Sequence, residues 1–414
     1  MSSTSEPLSA RASAGWVHEA KVTALINVAH FTSHVHVMLL PPILGLVRES
    51  FGVSYVEIGA ALTTFNVVSA ALQTPVGFLV DRVGPRIMLT GGLLLAAAAL
   101  VAAATLPGYG LFIVAYAFLG LANTVYHPAD YSMLAAAIDA KRIGKAFSIH
   151  NFSGFLGFGV APTLMVASAN LWGWQGAFFV AAGLALVSAL LLIAFGGALP
   201  NDRRPAKAMR SAATGTKIGL DLLLSGPVLR NLLFFLCIGM ANGGIQTFSV
   251  VAMGNLHNTP VSVANMGLTG FLLMSAVGVL VGGIVADRTA NHERVAVFGF
   301  AFTSTMAVLM GWVDMSAAIL ILVMSVGGLL NGLVQPSRDM MVRAVTPAGS
   351  FGKVFGFVST GINIGGVVSP LLYGWLMDRG QPRMIFAIVV VFIFLGMATA
   401  ITRRKPQGIA EWTR

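Results

Sequence analysis

Long apolar runs separated by short polar joints set the pattern of this chain. A helix rising 1.5 Å per residue needs about 20 mostly apolar residues to cross the hydrocarbon layer. Twelve runs meet that need, at approximately 21–47, 54–80, 86–106, 109–138, 144–168, 173–196, 229–253, 260–286, 294–314, 316–343, 350–376 and 381–402. The pattern predicts an all-α membrane protein of about twelve transmembrane helices. The longest polar stretch, Pro200 to Arg230, divides the runs into two sets of six. The expected organisation is a tail over 1–20, a six-helix bundle over 21–199, a linker over 200–228, a second six-helix bundle over 229–402 and a tail over 403–414.

Composition strengthens this picture. Of 414 residues, 56% are hydrophobic and only 10% are charged, with a mean hydropathy of +0.83. A soluble domain carries about a quarter charged residues, so the bilayer is the expected solvent for most of the surface. The net charge of +10 raises the question of nucleic acid, which the placement of the bases answers. With the N-terminus in the cytoplasm, 21 of the 25 Lys and Arg residues fall in inner segments. Arg48, Arg379 and Arg383 are assigned to the outer side, and Arg338 alone to the interior of a run and not to its end. This positive-inside bias predicts that both termini are cytoplasmic. The first twenty residues lack a charged-then-apolar signal with a small-residue cleavage site, so the first run is expected to be a retained helix. The single Cys237 lies inside the seventh run, so disulfides play no part in the expected fold.

The two halves repeat each other at a spacing of 208 residues. Gly120 matches Gly328, Asn123 matches Asn331 and Pro128 matches Pro336; Gly144, Lys145 and Phe147 match Gly352, Lys353 and Phe355. Gly157, Pro162 and Phe178 then match Gly365, Pro370 and Phe386. One register through the fourth, fifth and sixth runs of each half points to an ancient duplication. Paired six-helix repeats with a site at mid-depth between them describe one transporter architecture, in which rocking of the halves gives alternating access.

Between the second and third runs the chain reads Gly77-Phe78-Leu79-Val80-Asp81-Arg82-Val83-Gly84-Pro85-Arg86, and the second half carries Gly283-Ile284-Val285-Ala286-Asp287-Arg288. The first stretch resembles the signature loop of the major facilitator superfamily, G-x-L-x-D-R-x-G-x-R, and the second is its truncated repeat. The resemblance implies the major facilitator fold, with a gating role for Gly77, Asp81, Arg82, Gly84, Arg86, Asp287 and Arg288. Physically, Gly77 permits close helix contact, Asp81 suits a helix end, and Arg82 and Arg86 suit an anionic inner leaflet. Further stretches are similar to the fosmidomycin-resistance-like branch: His30-Phe31, Leu40-Pro41-Pro42, Tyr126-His127-Pro128-Ala129-Asp130 and Gly144-Lys145-Ala146-Phe147-Ser148, leading to Gly154, Gly157, Gly159 and Pro162. That branch often carries an acid four residues after the first of these histidines, where His34 stands here. The resemblance implies a proton-linked exporter of a small compound, an anion among the candidates. The fifth run reads Ser148-x8-Gly157-x3-Ala161-Pro162 and its repeat Gly356-x8-Gly365-x3-Ser369-Pro370. Both are degenerate versions of the superfamily antiporter motif, and packing of small residues and proline at a helix contact explains Gly157, Pro162, Gly365 and Pro370 equally well.

Ionisable groups inside apolar runs are costly and point to function. Asn123, His127 and Asp130 lie on one face of the fourth run, and Asn331, Gln335 and Arg338 on the matching face of the tenth. An acid in one half thus occupies the repeat position of a base in the other. Asp130 lies 21 residues into its 30-residue run, about 32 Å along an estimated 45 Å, in the inner third. Three readings follow: an inner gate pair, a substrate or proton site, or separate local partners. Asp339 adjoins Arg338, but successive helical residues point to different faces. Asn27, His30 and His34 share a face of the first run, with His36 pointing elsewhere; Asn242 stands at the repeat position of His34, and Gln246 one turn beyond. Histidine titrates near neutral pH, which suits proton coupling, although hydrogen-bonded histidines that never titrate fit as well. His30 and His34, four apart, also have metal-ligand spacing, but no Cys or carboxylate lies near them in sequence, so no metal or other cofactor is expected. His150 and Asn151 read as packing or interface residues, and Trp172 and Trp174 as interfacial anchors.

No G-x-x-x-x-G-K-S/T loop, G-x-S-x-G elbow or H-E-x-x-H motif occurs. The chain is read as no enzyme and as independent of ATP hydrolysis, so an ion or substrate gradient would drive it. The expected function is secondary active transport of a small organic solute across the cytoplasmic membrane, with proton-coupled efflux first. Uptake of an organic anion recognised by Arg338 and the histidines is the alternative. A transporter-like sensor or assembly protein is the reading from another class. Partners would be the solute, protons and the lipid bilayer, with no nucleic acid, and a monomer would suffice.

Overall fold

The structure is a computed structural model that describes residues 8–139, 142–200, 220–289, 291–346 and 351–401. Most of the expected linker and the C-terminal tail lie outside the described residues. Every regular element among the described residues is helical. That follows from the solvent: in lipid a backbone N–H or C=O finds no water, and a helix satisfies each within its own segment. Among the described residues, eleven helices are long and apolar enough to cross a membrane. The chain divides into two compact units, Met1–Gly215 and Thr216–Arg414.

Unit 1 contains α1 (Leu8–Val37), a 3-10 turn at Pro41–Ile43, α2 (Leu44–Phe51), α3 (Tyr55–Val83), α4 (Pro85–Thr105), α5 (Tyr109–Asn123), α6 (Tyr126–Ala137) and α7 (Ile143–Phe195). The sequence predicts two helices where α7 runs for 53 residues. A straight helix of that length would measure about 80 Å, far more than a bilayer. Trp172 and Gly173 leave helical geometry, Gly173 at φ 72° and ψ 173°, and the run breaks there. The fourth run is also interrupted, between α5 and α6 at Thr124–Val125. Pro128 explains the break, because it has no N–H for the carbonyl four residues back and its ring crowds that carbonyl.

Local chemistry fixes the helix ends. Ser54 Oγ accepts from the Glu57 amide at 3.1 Å, and the Ser54 amide donates to Glu57 Oε2 at 2.7 Å, a reciprocal cap that starts α3. Gly84, at φ 111°, turns the chain from α3 into α4 in a conformation that a side chain would strain. Trp172 is exposed, as an anchor should be. Trp174 instead donates Nε1–H to Ser50 Oγ at 2.9 Å and packs its ring against Phe51, Phe112 and Phe178.

Unit 2 contains α8 (Leu220–Leu223), α9 (Gly226–Asn242), a π-helical segment at Gly243–Phe248, α10 (Ser249–His257), α11 (Val261–Arg288), α12 (His292–Trp312), α13 (Ala317–Ala344), α14 (Phe351–Asp378) and α15 (Pro382–Ile401). Its packing repeats that of unit 1. A Cβ at Gly120 would lie 2.6 Å from the Phe65 carbonyl oxygen, and one at Gly328 would strike the Phe271 carbonyl. Ser69 Oγ donates to the Gly120 carbonyl at 3.0 Å, and Ser275 Oγ to the Gly328 carbonyl at 3.0 Å. The α3–α11 register is therefore 206, the spacing that also relates Asp81-Arg82 to Asp287-Arg288, against 208 further along. A second crossing recurs as well: Gly157 lies against the Phe31 carbonyl, and Gly365 against Gly239. Pro162 and Pro370 sit inside the helices that make this crossing, α7 and α14.

Candidate functional site

Three helices of unit 1 bring four histidines and one acid together. α1 carries His30 and His34 on one face, α6 carries His127 and Asp130, and α7 carries His150. Gly154, one turn beyond His150, makes the space: a Cβ there would lie 2.8 Å from both His30 Nε2 and His34 Nε2. The His30 ring stacks on His150 with centroids 3.7 Å apart, and lies 4.5 Å from His34 and 5.4 Å from His127. His34 closes the far side against Phe158 at 4.3 Å.

Asp130 has no exposed surface. Its Oδ2 lies 3.4 Å from His30 Nδ1 and 3.8 Å from His150 Nε2. Both contacts have ion-pair separation, but neither is a hydrogen bond. Both Asp130 oxygens, His30 Nδ1, His34 Nδ1, His127 Nδ1 and His150 Nε2 are buried without a hydrogen-bond partner among the described residues. Such atoms are rare in folded interiors, because each unsatisfied one costs free energy. A buried carboxylate is sustained by a proton, a cation or a bound polar group. His150 Nδ1 lies 3.1 Å from Asn27 Oδ1, an acceptor, so the Nδ1–H donates there and the Nε2 lone pair faces Asp130. His36 is a contrasting case: its Nε2–H donates to the Ala181 carbonyl at 3.0 Å, away from the cluster.

A groove of about 460 Å³ approaches the cluster, lined by Thr74, Gly77, Asp81, Pro128, Tyr131 and other residues of α3 and α6. The Tyr131 ring lies 5.9 Å from His127 and 5.5 Å from His150, so it stands between groove and cluster. The signature loop thus forms part of the wall. Gly77 meets Pro128, and Arg86 lays its guanidinium over Gly196, whose Cβ would come within 2.7 Å of Arg86 Nε. Arg82 is exposed. Arg288 ends α11 exposed, and the Asp287 side chain lies outside the described residues.

The polar face of unit 2 is arranged differently. Arg338 Nε donates to Asp339 Oδ1 at 2.9 Å, and the guanidinium lies 4.7 Å from the Phe235 ring centre. Adjacent residues were expected to point apart; the long Arg338 side chain instead reaches back to its neighbour. Asn242 and Asn331 share an apolar pocket with Cys237, Phe300 and Thr303, with room for about one water. Gln246 lies in the π-helical segment and Gln335 on α13, both half-buried.

Two expectations need correction. His150, read as a packing or interface residue, stacks on His30 and belongs to the cluster. The absence of a nearby carboxylate, the reason for discounting metal, holds only along the sequence: His30 meets Asp130 across 100 residues. No short-range spacing could have shown that, although the crowding of histidines on three apolar runs was a signal.

The Major Facilitator Superfamily profile matches residues 26–256 and 232–411. The fosmidomycin resistance protein of Escherichia coli strain K12 is 24% identical over 396 residues, 91% of each chain. The multi-drug resistance efflux pump PmrA of Streptococcus pneumoniae serotype 4 is 24% identical over 354 residues, 83% of this chain and 86% of PmrA. A crystal structure of a bacterial homologue of the human lysosomal transporter Spinster, inward-facing and unoccupied, superposes with a TM-score of 0.77 at 13% identity, covering 94% of this chain and 99% of that one. The nucleoside transporter NupG superposes at 0.73 and 15% identity, covering 91% and 98%.

Proposed function

Starting from the fact that this chain belongs to the Major Facilitator Superfamily, we propose that it is a secondary active transporter that exports a small organic solute in exchange for protons. The observation that carries this reading is the cluster of buried His30 and His150 and half-buried His34 and His127 around the fully buried Asp130. Ionisable groups held inside an apolar bundle are expensive, and proton relays are one of the uses that maintain them. Protons would reach the acid from the groove beside Tyr131, whose ring touches His127 and His150. Efflux as the direction draws on the relatives, two of which are named for resistance or drug efflux. Counting α7 as two spans would give twelve crossings and return both termini to one side, the cytoplasmic one by the distribution of bases. Alternating access by rocking of the six-helix repeats, in the cytoplasmic membrane, would be the transport cycle, and one chain would suffice. The signature loop and the Asp130 and Arg338 faces would then govern access.

The experiment is proton flux in proteoliposomes with an internal pH dye, over a panel of small anions, sugars and hydrophobic cations. One class of compound is expected to trigger proton movement, its sign giving exchange. Asp130→Asn is expected to abolish that movement. A variant that transports and responds to pH like the wild type would remove Asp130 from the mechanism. Anion uptake through Arg338 has less support, since that guanidinium is already engaged by Asp339.

A further inference from the structure

Three of the histidines form a set of a different kind. One ligand atom from each of His30, His127 and His150 lies within 4.8 Å of the other two. Asp130 Oδ2 adds a hard oxygen at 3.4 Å from His30 and 3.8 Å from His150. In a tetrahedral zinc site with bonds of about 2.0–2.1 Å, the donors stand about 3.4 Å apart. The acid–histidine distances already approach that spacing. The histidine donors need about 1.4 Å of closure at most, with the His30–His150 stack splaying as they turn.

The chemistry agrees with the spacing. A metal-bound histidine commonly donates its other ring N–H to a carbonyl or carboxylate, which fixes the tautomer and points the free lone pair at the ion. His150 has that arrangement, with Nδ1–H on Asn27 Oδ1 and the Nε2 lone pair turned inward. In the neutral ring that lone pair faces a carboxylate oxygen, a repulsive contact that a proton or a cation between them reverses. Both Asp130 oxygens, His30 Nδ1 and His127 Nδ1 are likewise buried without hydrogen-bond partners among the described residues.

We propose that His30, His127 and His150, with Asp130 as fourth donor, bind a divalent first-row transition-metal ion of the zinc and cobalt class. Imidazole and carboxylate suit that class, and thiolate-seeking ions find no sulfur ligand in the cluster. The ion would tie α1, α6 and α7 together. If the transport reading holds, it would also compete with protons for the same atoms and inhibit flux. That consequence rests on the transport reading; binding itself does not.

The test uses the full chain, purified in detergent without a polyhistidine tag, stripped with EDTA and titrated with Co²⁺. Intense tetrahedral visible bands are expected, saturating at one ion per chain and displaced by Zn²⁺. His127→Phe and His150→Asn should each abolish those bands, and Asn27→Ala should weaken binding by about 10–100-fold. Weak octahedral bands alone, or tetrahedral bands that survive both histidine changes, would overturn the proposal. Should the variants fail to fold, X-ray absorption of zinc-loaded wild type decides: three imidazoles support the site, and two or fewer refute it. Binding is read without solute or gradient, so a negative result leaves proton exchange standing. A protein that binds cobalt but moves no protons keeps the metal site and loses the transport reading.

Discussion

The matching faces of α6 in unit 1 and α13 in unit 2 occupy the same repeat positions and hold opposite charges in opposite ways. Asp130 has no exposed surface and no hydrogen bond, and its neighbours come from two other helices. Arg338 is partly exposed, meets an acid on its own helix and lies over Phe235. A buried charge without hydrogen bonds costs several kcal/mol, whereas a locally paired one at partial exposure costs little. The acid is therefore the group whose protonation or ligation must change the energy of its unit. Duplication preserved the scaffold and left the polar positions free to diverge.

The largest expected effect tests that asymmetry directly. Asp130→Asn should bring solute-driven proton flux down to that of empty liposomes. Arg338→Gln should retain a substantial part, because it removes a group already satisfied nearby. Equal losses in the pH-dye assay would mean that the base takes part as fully as the acid, and the contrast between the units would fail.

The scaffold, by contrast, should respond alike in both halves. Gly120→Ala and Gly328→Ala each force a methyl group onto a facing backbone carbonyl, Phe65 or Phe271. Each should cost about 1–3 kcal/mol of stability, the usual range for overpacking. Thermal unfolding in detergent measures this. A variant in one unit that proved neutral would show that its crossing relaxes where the other cannot.

That equivalence was legible in the sequence, and the assembly of the site's residues into one cluster was not, for a physical reason. Spans announce themselves through composition, and glycines at helix crossings repeat because backbone contact tolerates nothing larger; Gly120, Gly157, Gly328 and Gly365 all stood out. The 53-residue α7 needed only Gly173 and the bilayer thickness to be read as broken. The cluster instead depends on how α1, α6 and α7 rotate about their axes. Helical spacing put His30 with His34 and His127 with Asp130, yet gave no means of bringing His150 to His30. It also missed that Arg338 would turn to Asp339, since spacing rules describe Cβ directions and not the reach of a long side chain.

A smaller effect concerns the first helix of each unit. In unit 2, α9 passes into the π-helical segment at Gly243–Phe248, and Tyr373 OH donates to the Met240 carbonyl at 2.9 Å beside it. At the matching place in unit 1, α1 ends at Val37 and a 3-10 turn follows at Pro41–Ile43. Irregular turns within helices often mark functional hinges. Tyr373→Phe should cost about 0.5–1.5 kcal/mol, the net worth of one hydrogen bond. Hydrogen exchange should rise at 240–248 and stay unchanged at 34–43. A rise in both stretches would mean that the two hinges are coupled.

The smallest effect should come from a clamp that unit 1 alone carries in its sequence. Glu19 accepts from Arg142 Nε and Nη2, both at 2.7 Å, and from the Asp139 amide at 3.2 Å, tying the first half of α1 to the turn before α7. At the repeat spacing Pro227 and Ser350 replace Glu19 and Arg142, so unit 2 has no counterpart at those positions. Two-point geometry favours the pair, but Arg142 is half-exposed, and water and salt screen what the contact gains. Glu19→Gln should therefore leave the unfolding midpoint nearly unchanged. It should raise hydrogen exchange at the Asp139 amide, more at low salt than at high, because the wild-type contact is weakened by salt already. Exchange that rises equally at both salt concentrations would assign the contact to shape and hydrogen bonding and not to charge. A large drop in the midpoint would make this clamp a principal brace of unit 1, and the difference between the two units would then extend from their polar faces to their frames.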